Sequence, residues 1–317
     1  MTPPRGWCRA RAVRALFEAR PAVRPPPGIA QMREQVIAWP SVQIPVQSLP
    51  GARLFIYSPV HADTRTVVFW IHGGGFLAHS ANSVADYAVM LASRGYVVTS
   101  LDYTLAPGVR YPIPLRQANA ALGYVASRAA DYGGDPTCIV VGGDSAGAQM
   151  ASQLAAVHTN PHLAQQMSLD PALHKDQLHA TVLYCGFYDM HTLYTSGFPA
   201  LSTCMRAYTG YRNWLRAPFI DELSTAQHLT LDYPPTFITV GDADPFERQG
   251  EQFADALLSH GVPVDGLFWT GSGLGLRHEY QFDFRLPQAE EAFRRTVAFL
   301  ERQERAKSVR NVKADPP

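Results

Sequence analysis

Apolar residues fall along the chain in short runs separated by longer patterns of wider spacing. Strand-like runs recur at RLFIYSP (53–59), VVFWIH (67–72), YVVTSLDY (96–103), IVVGG (139–143), ATVLYCG (180–186), FITVGD (237–242) and VDGLFWT (264–270). Between most of them the spacing becomes helical. YAVMLASRG and ERQGEQFADALLSHG each stop at a glycine, Gly95 and Gly261, as expected just past a helix C-terminus. PLRQANAALGYVASRAADYGG also places its apolar residues near helical spacing. Strands alternating with helices of this length predict an α/β fold with a mostly parallel central sheet flanked by helices on both faces.

The alternation breaks between Phe187 and Tyr233, where FYDMHTLYTSGFPALSTCMRAYTGYRNWL is aromatic and irregular. An insertion there would lie over the strand ends, where open α/β sheets hold their ligands. Residues 187–233 are therefore expected to form a helical cap, to which part of the N-terminal region contributes; an ordinary long crossover is the alternative.

Composition narrows the class of partner. Lysine plus arginine and aspartate plus glutamate number 27 each in 317 residues, so no net field favours nucleic acid or an anionic membrane. A neutral, partly apolar small molecule fits better. The four cysteines, Cys8, Cys138, Cys185 and Cys204, show no C-x-x-C pairing and read as reduced thiols of a cytoplasmic protein. No apolar run approaches the roughly 20 residues of a membrane span. Residues 1–31 carry six arginines, one glutamate and the stretch PAVRPPPG, without the apolar middle of a secretory signal. They are expected to be a disordered or cap-associated leader, with the α/β domain over 32–306 and a solvated tail over 307–317.

The chemistry begins at IVVGGDSAGAQM (139–150), where an apolar strand runs into a helical pattern through Gly143-Asp144-Ser145-Ala146-Gly147. A G-x-S-x-G sequence between strand and helix is a nucleophile elbow, and its glycines keep side chains out of a very tight turn. A serine hydroxyl needs a base to take its proton, and that base needs an acid to hold its tautomer. Upstream, WIHGGGFL (70–77) follows a strand directly, and its consecutive glycines let backbone amides approach a developing oxyanion. Downstream, FITVGDADPFERQ ends a strand with two candidate acids, Asp242 and Asp244, the latter placed where a helix cap would also use it. The order serine, acid, histidine then points past one more strand to His278 in GLRHEYQF. His260 sits at a helix C-terminus, where a capping role explains it.

HGGGF, DYTLAPGVRYP, YGGDPTCIVVGGDSAGA, GDADPF and HEYQF, in this order, resemble the α/β-hydrolase fold and within it the hormone-sensitive-lipase-like group of serine esterases. The resemblance covers residues 50 to 305. It implies Ser145 as nucleophile, Asp244 as acid and His278 as base, with the amides of Gly74, Gly75 and Ala146 as oxyanion donors. It also implies hydrolysis of short- to medium-chain acyl esters, with no metal or cofactor required, and members of the group often form homodimers through the final strand and helix. Thr104 stands where the group usually has arginine, and the approach to His278 is longer and richer in glycine than usual. Amide or thioester hydrolysis is chemically open to the same nucleophile. A binding protein on the same scaffold, as in the related plant gibberellin receptors, is the competing class, and an intact His278 argues against it.

Remaining motifs carry less. GSGLG (271–275) lacks the third glycine of a dinucleotide loop, and Asn160-Pro161 separates His158 from His162 as a metal pair. His72 is expected to brace the glycine loop, and Asp144 to make local hydrogen bonds.

Overall fold

A computed structural model describes residues 5–19, 23–61 and 65–314. In chain order the strands are β1 (Val36–Ala38), β2 (Val42–Val46), β3 (Leu49–Pro59), β4 (Arg65–Ile71), β5 (Val97–Asp102), β6 (Gly134–Asp144), β7 (Leu178–Tyr184), β8 (Thr236–Val240) and β9 (Val264–Phe268). The helices are α1 (Arg5–Glu18), α2 (Ile29–Glu34), α3 (Ala85–Ala92), α4 (Ile113–Arg128), α5 (Ala146–Thr159), α6 (Pro161–Gln166), α7 (Met190–Leu193), α8 (Leu201–Thr209), α9 (Glu247–Ser259) and α10 (Pro287–Ala314).

The β-branched runs pair into one nine-stranded sheet of order β1-β3-β5-β4-β6-β7-β8-β9, with β2 beside β3. From β5 through β9 every pairing is parallel; β3 joins β5 antiparallel. Alternate residues of the central strands enter two separate cores. Val67, Phe69 and Ile71 pack on the side holding Leu115 of α4, Leu154 of α5 and Leu257 of α9. Val68 and Trp70 pack on the other, with Leu91 of α3 and Phe299 of α10. Burial on both faces explains why these strands read as continuous apolar runs.

The sheet reaches further than the seven runs in the sequence. Strands β1 and β2 add to β3 at the N-terminal edge. Their signal is masked by Pro40, Pro45 and Pro50; Pro45 is tolerated because β2 pairs with β3 alone and needs no second partner. Within the expected leader, residues 5–18 form α1, which packs against α8, Phe17 meeting Phe198 edge-on at 6.4 Å. Arg24 is bound through its backbone to Phe282 and Phe284 and through its side chain to Asp283 at 3.0 Å. Helix α2 crosses residue 32, where the domain was expected to begin. The expected tail from residue 307 continues α10 to Ala314, and Lys307 pairs with Asp135. Residues 187–233 form α7, α8 and short 3-10 turns between β7 and β8. Among the described residues no helix is long and apolar enough to cross a membrane.

Candidate active site

Strands β4 and β6 are parallel neighbours, with Ile71 opposite Gly143. Their C-terminal loops must therefore leave the same sheet edge side by side. This adjacency carries the HGGG loop to the serine turn, so that a Cβ placed on Gly73 would lie 3.1 Å from that of Ser145. The turn itself is as tight as its composition requires. Ser145 has φ 51° and ψ −117°, a region that only a well-supported non-glycine residue occupies. Its amide donates to the Tyr184 carbonyl at 2.8 Å. A Cβ on Gly147 would fall 1.9 Å from the Ile71 carbonyl oxygen, and one on Gly143 would fall 2.6 Å from the Gly147 backbone. Both glycines are thus steric necessities of the bend.

Two loops further along, past β8 and β9, the chain supplies the remaining side chains. The Nε2 atom of His278 lies 2.9 Å from the Ser145 hydroxyl oxygen, and its Nδ1 lies 2.9 and 3.1 Å from the two carboxylate oxygens of Asp244. An ionised carboxylate only accepts, so Nδ1 carries the proton and Nε2 is left to accept from Ser145. The Asp244 side chain is wholly buried, and its Oδ1 also accepts from the Phe246 amide at 2.8 Å. One carboxylate therefore both shapes the turn into α9 and orients the imidazole. Burial of His278 works against its protonation, but Asp244 and the neighbouring Cys185 together outweigh it and hold the imidazole well above its ordinary value. The rings of Phe198 and Phe246 stand edge-on to His278, with centroids 5.1 and 5.2 Å away.

Asp242 does a different job. It accepts from the Leu276 amide at 2.6 Å, the Ser272 hydroxyl at 2.9 Å and the Gly275 amide at 3.2 Å. Partial desolvation opposes its ionisation, yet these donors hold its carboxyl below the usual range. Gly271, Gly273 and Gly275 all have φ near 70°, and their Cα positions face open space. The glycine-rich approach to His278 is thus tied down at its end by Asp242.

The glycine loop is clamped from behind. Asp144 accepts from Trp70 Nε1 at 2.9 Å and from the Gly73 amide at 2.8 Å. Burial and the nearby Glu279 carboxylate push Asp144 up to about 8, against the pull of those two donors. His72 is fully buried, donates from Nδ1 to the Gly73 carbonyl at 2.8 Å and stacks on Tyr103 at 4.4 Å. Burial lowers its pKa to about 3, so it is a neutral brace and not a second base. With Gly73 committed to Asp144, the amides of Gly74, Gly75 and Ala146 have no acceptor among the described residues. Gly74 and Gly75 need their φ of 101° and 60°, and a Cβ on Gly75 would meet Cys204 of α8 at 2.9 Å.

Of the other histidines, His260 donates back to the Ala256 carbonyl at 2.8 Å at the end of α9. His158 bonds to Leu154 within α5, while His162 lies beyond Asn160, which caps α6. Three features had no usable sequence signal: the anchoring role of Asp242, the Glu279 charge beside Asp144, and Cys185. The thiol of Cys185 is buried after β7 with its sulfur close to His278 and Asp244, and burial raises it to about 12.

A strand-turn-helix serine, a buried aspartate-histidine pair and a glycine loop on adjacent parallel strands define an α/β hydrolase. The family model for the alpha/beta hydrolase fold matches residues 68–276, and the chain belongs to this family. The chain is 30% identical over 260 residues to carboxylesterase NlhH of Mycobacterium tuberculosis, covering 78% of this chain and 76% of that protein. It is 31% identical over 206 residues to esterase LipI of the same organism, covering 63% and 62%. Esterase B from Lactobacillus rhamnosis superposes with a TM-score of 0.78 at 20% identity, over 96% of this chain and 95% of that one, a likeness of fold.

Proposed function

We propose that this α/β hydrolase, a carboxylesterase like its curated relatives, works through Ser145, His278 and Asp244 on short- to medium-chain acyl esters. The observation that carries the reading is the unbroken hydrogen-bond chain from the Ser145 hydroxyl through His278 to buried Asp244, 2.9 Å at each link. In acylation the Ser145 oxygen bonds to the ester carbonyl carbon as its proton passes to His278 Nε2. Asp244 stabilises the imidazolium that results. The amides of Gly74, Gly75 and Ala146 receive the oxyanion. His278 then protonates the departing alkoxide, the C–O bond breaks and the alcohol leaves. Water attacks the acyl-enzyme with His278 again as base, releasing the acid and restoring Ser145.

An apolar acyl group is supported by the surroundings: Phe198 and Phe246 flank His278, and Phe17 and Cys204 lie against Gly75. Residues 187–233 together with α1 form the cap that supplies Phe198, Cys204 and Phe17, while Phe246 comes from the turn into α9. Hydrolysis of nitrophenyl esters from acetate to palmitate, by wild type beside Ser145→Ala, tests the reading. Activity that peaks at short chains and vanishes in the variant is expected. Folded wild type inert on the whole series would defeat it.

A further inference from the structure

Cys185 takes no part in ester hydrolysis as derived above, yet it lies against the catalytic pair. Its sulfur, a ring nitrogen of His278 and a carboxylate oxygen of Asp244 all lie within 4.8 Å of one another, with Cys185 and Asp244 buried. One thiol, one imidazole and one carboxylate make the donor set that borderline-soft cations prefer over magnesium or calcium. The ligand atoms of a tetrahedral zinc site stand about 3.3 to 3.6 Å apart, from bond lengths of about 2.0 to 2.3 Å. Closing the cluster to that spacing takes a contraction of at most about 1.5 Å, and of the three side chains His278, 19% exposed, is the one that reaches solvent.

We propose that Cys185, Asp244 and His278 form a binding site for a soft divalent cation such as zinc or cadmium, and that filling it switches the esterase off. The binding half of this inference is independent of the proposed function; the inhibitory half rests on it. The cation takes His278 at Nδ1, the nitrogen facing Asp244, and takes the Cys185 sulfur as thiolate. The thiol proton leaves to solvent, and the one proton of the neutral imidazole moves to Nε2. No oxidation state changes. With a proton on Nε2, His278 donates toward Ser145 and no longer accepts from it, so the nucleophile loses its base. The Asp244 carboxylate, drawn to the metal, no longer orients the ring.

Cadmium titration tests this, in a Cys8→Ser background because Cys8 is an exposed thiol that would also bind. The variants are Cys185→Ala and, should that fold poorly, Cys185→Ser, whose hard oxygen is a poor ligand for cadmium. Two signals are read: the ultraviolet thiolate-to-cadmium absorption, and hydrolysis of nitrophenyl acetate. The background protein should gain the absorption as it loses activity, with magnesium doing neither. Either Cys185 variant should lose the absorption and need about tenfold more cadmium, or above, for half inhibition. Equal absorption or equal inhibition midpoints with and without Cys185 would overturn the site. A protein inert toward esters before any metal is added would condemn the esterase reading, while the absorption still reports on the site.

Discussion

Asp244 meets His278 through both carboxylate oxygens, at 2.9 and 3.1 Å from Nδ1, while its Oδ1 also receives the Phe246 amide. Asp242, two residues earlier, touches only the loop that leads to the histidine. In Asp244→Asn the amide can donate toward Nδ1 and favour the wrong tautomer, so kcat should fall by roughly 10³ to 10⁴. Asp242→Asn keeps an acceptor for the loop, and its loss should stay within about tenfold. Steady-state kinetics on one ester decides, and equal losses would remove Asp244 from the acid's role.

The same pair sets the pH profile. Burial lowers the His278 pKa, and Asp244 with Cys185 raises it by more, leaving it above the ordinary 6.5. With neutral His278 as the proposed base, kcat/KM should rise with pH through the free enzyme's His278 pKa, placing the acidic limb above pH 6.5. In Asp244→Ala the largest raising influence is gone while burial remains, so the limb of the residual activity should move to lower pH. A limb that stays in place would show that another group titrates there.

Elbow glycines should be costly to replace for reasons of space. Gly147→Ala sets a Cβ 1.9 Å from the Ile71 carbonyl oxygen and should cost about 3 kcal/mol or more in urea unfolding. Gly271→Ala meets nothing within 4 Å, so only its φ of 68° penalises it, by about 1 kcal/mol. Comparable losses at the two positions would contradict the steric account of the turn.

Asp144→Ala frees the Gly73 amide and the Trp70 indole together. Leaving buried donors unpaired costs about 1 to 3 kcal/mol, and here the disorder falls on the loop that presents Gly74 and Gly75. A drop in kcat of about ten- to a hundredfold is expected. Unchanged turnover would mean that the loop holds its shape without the clamp.

His260→Ala should leave kcat/KM within a factor of about two, since the ring bonds locally, to the Ala256 carbonyl and the Ser259 hydroxyl at the end of α9. Lost activity with folding intact would reopen the choice between the two histidines.

Much of this molecule is written locally. Seven of the nine strands are legible because buried parallel strands are short apolar runs, and the elbow and glycine loop are legible because their backbones admit little but glycine. The order of Ser145, Asp244 and His278 is likewise a property of the chain. Tertiary structure decided what local pattern does not encode. Asp242 and Asp244 follow the same strand, and only the path of the loop after β9 turns one toward its own glycines and the other toward His278. Cys185 is an ordinary buried thiol in sequence; the parallel pairing of β7 with β8, which carries Asp244, sets it beside the histidine. Nor does composition reveal that arginine-rich α1 lies on α8, with Phe17 near Gly75, because that contact joins segments almost two hundred residues apart. Backbone conformation is a short-range property, whereas the partners of a side chain depend on which strands become neighbours.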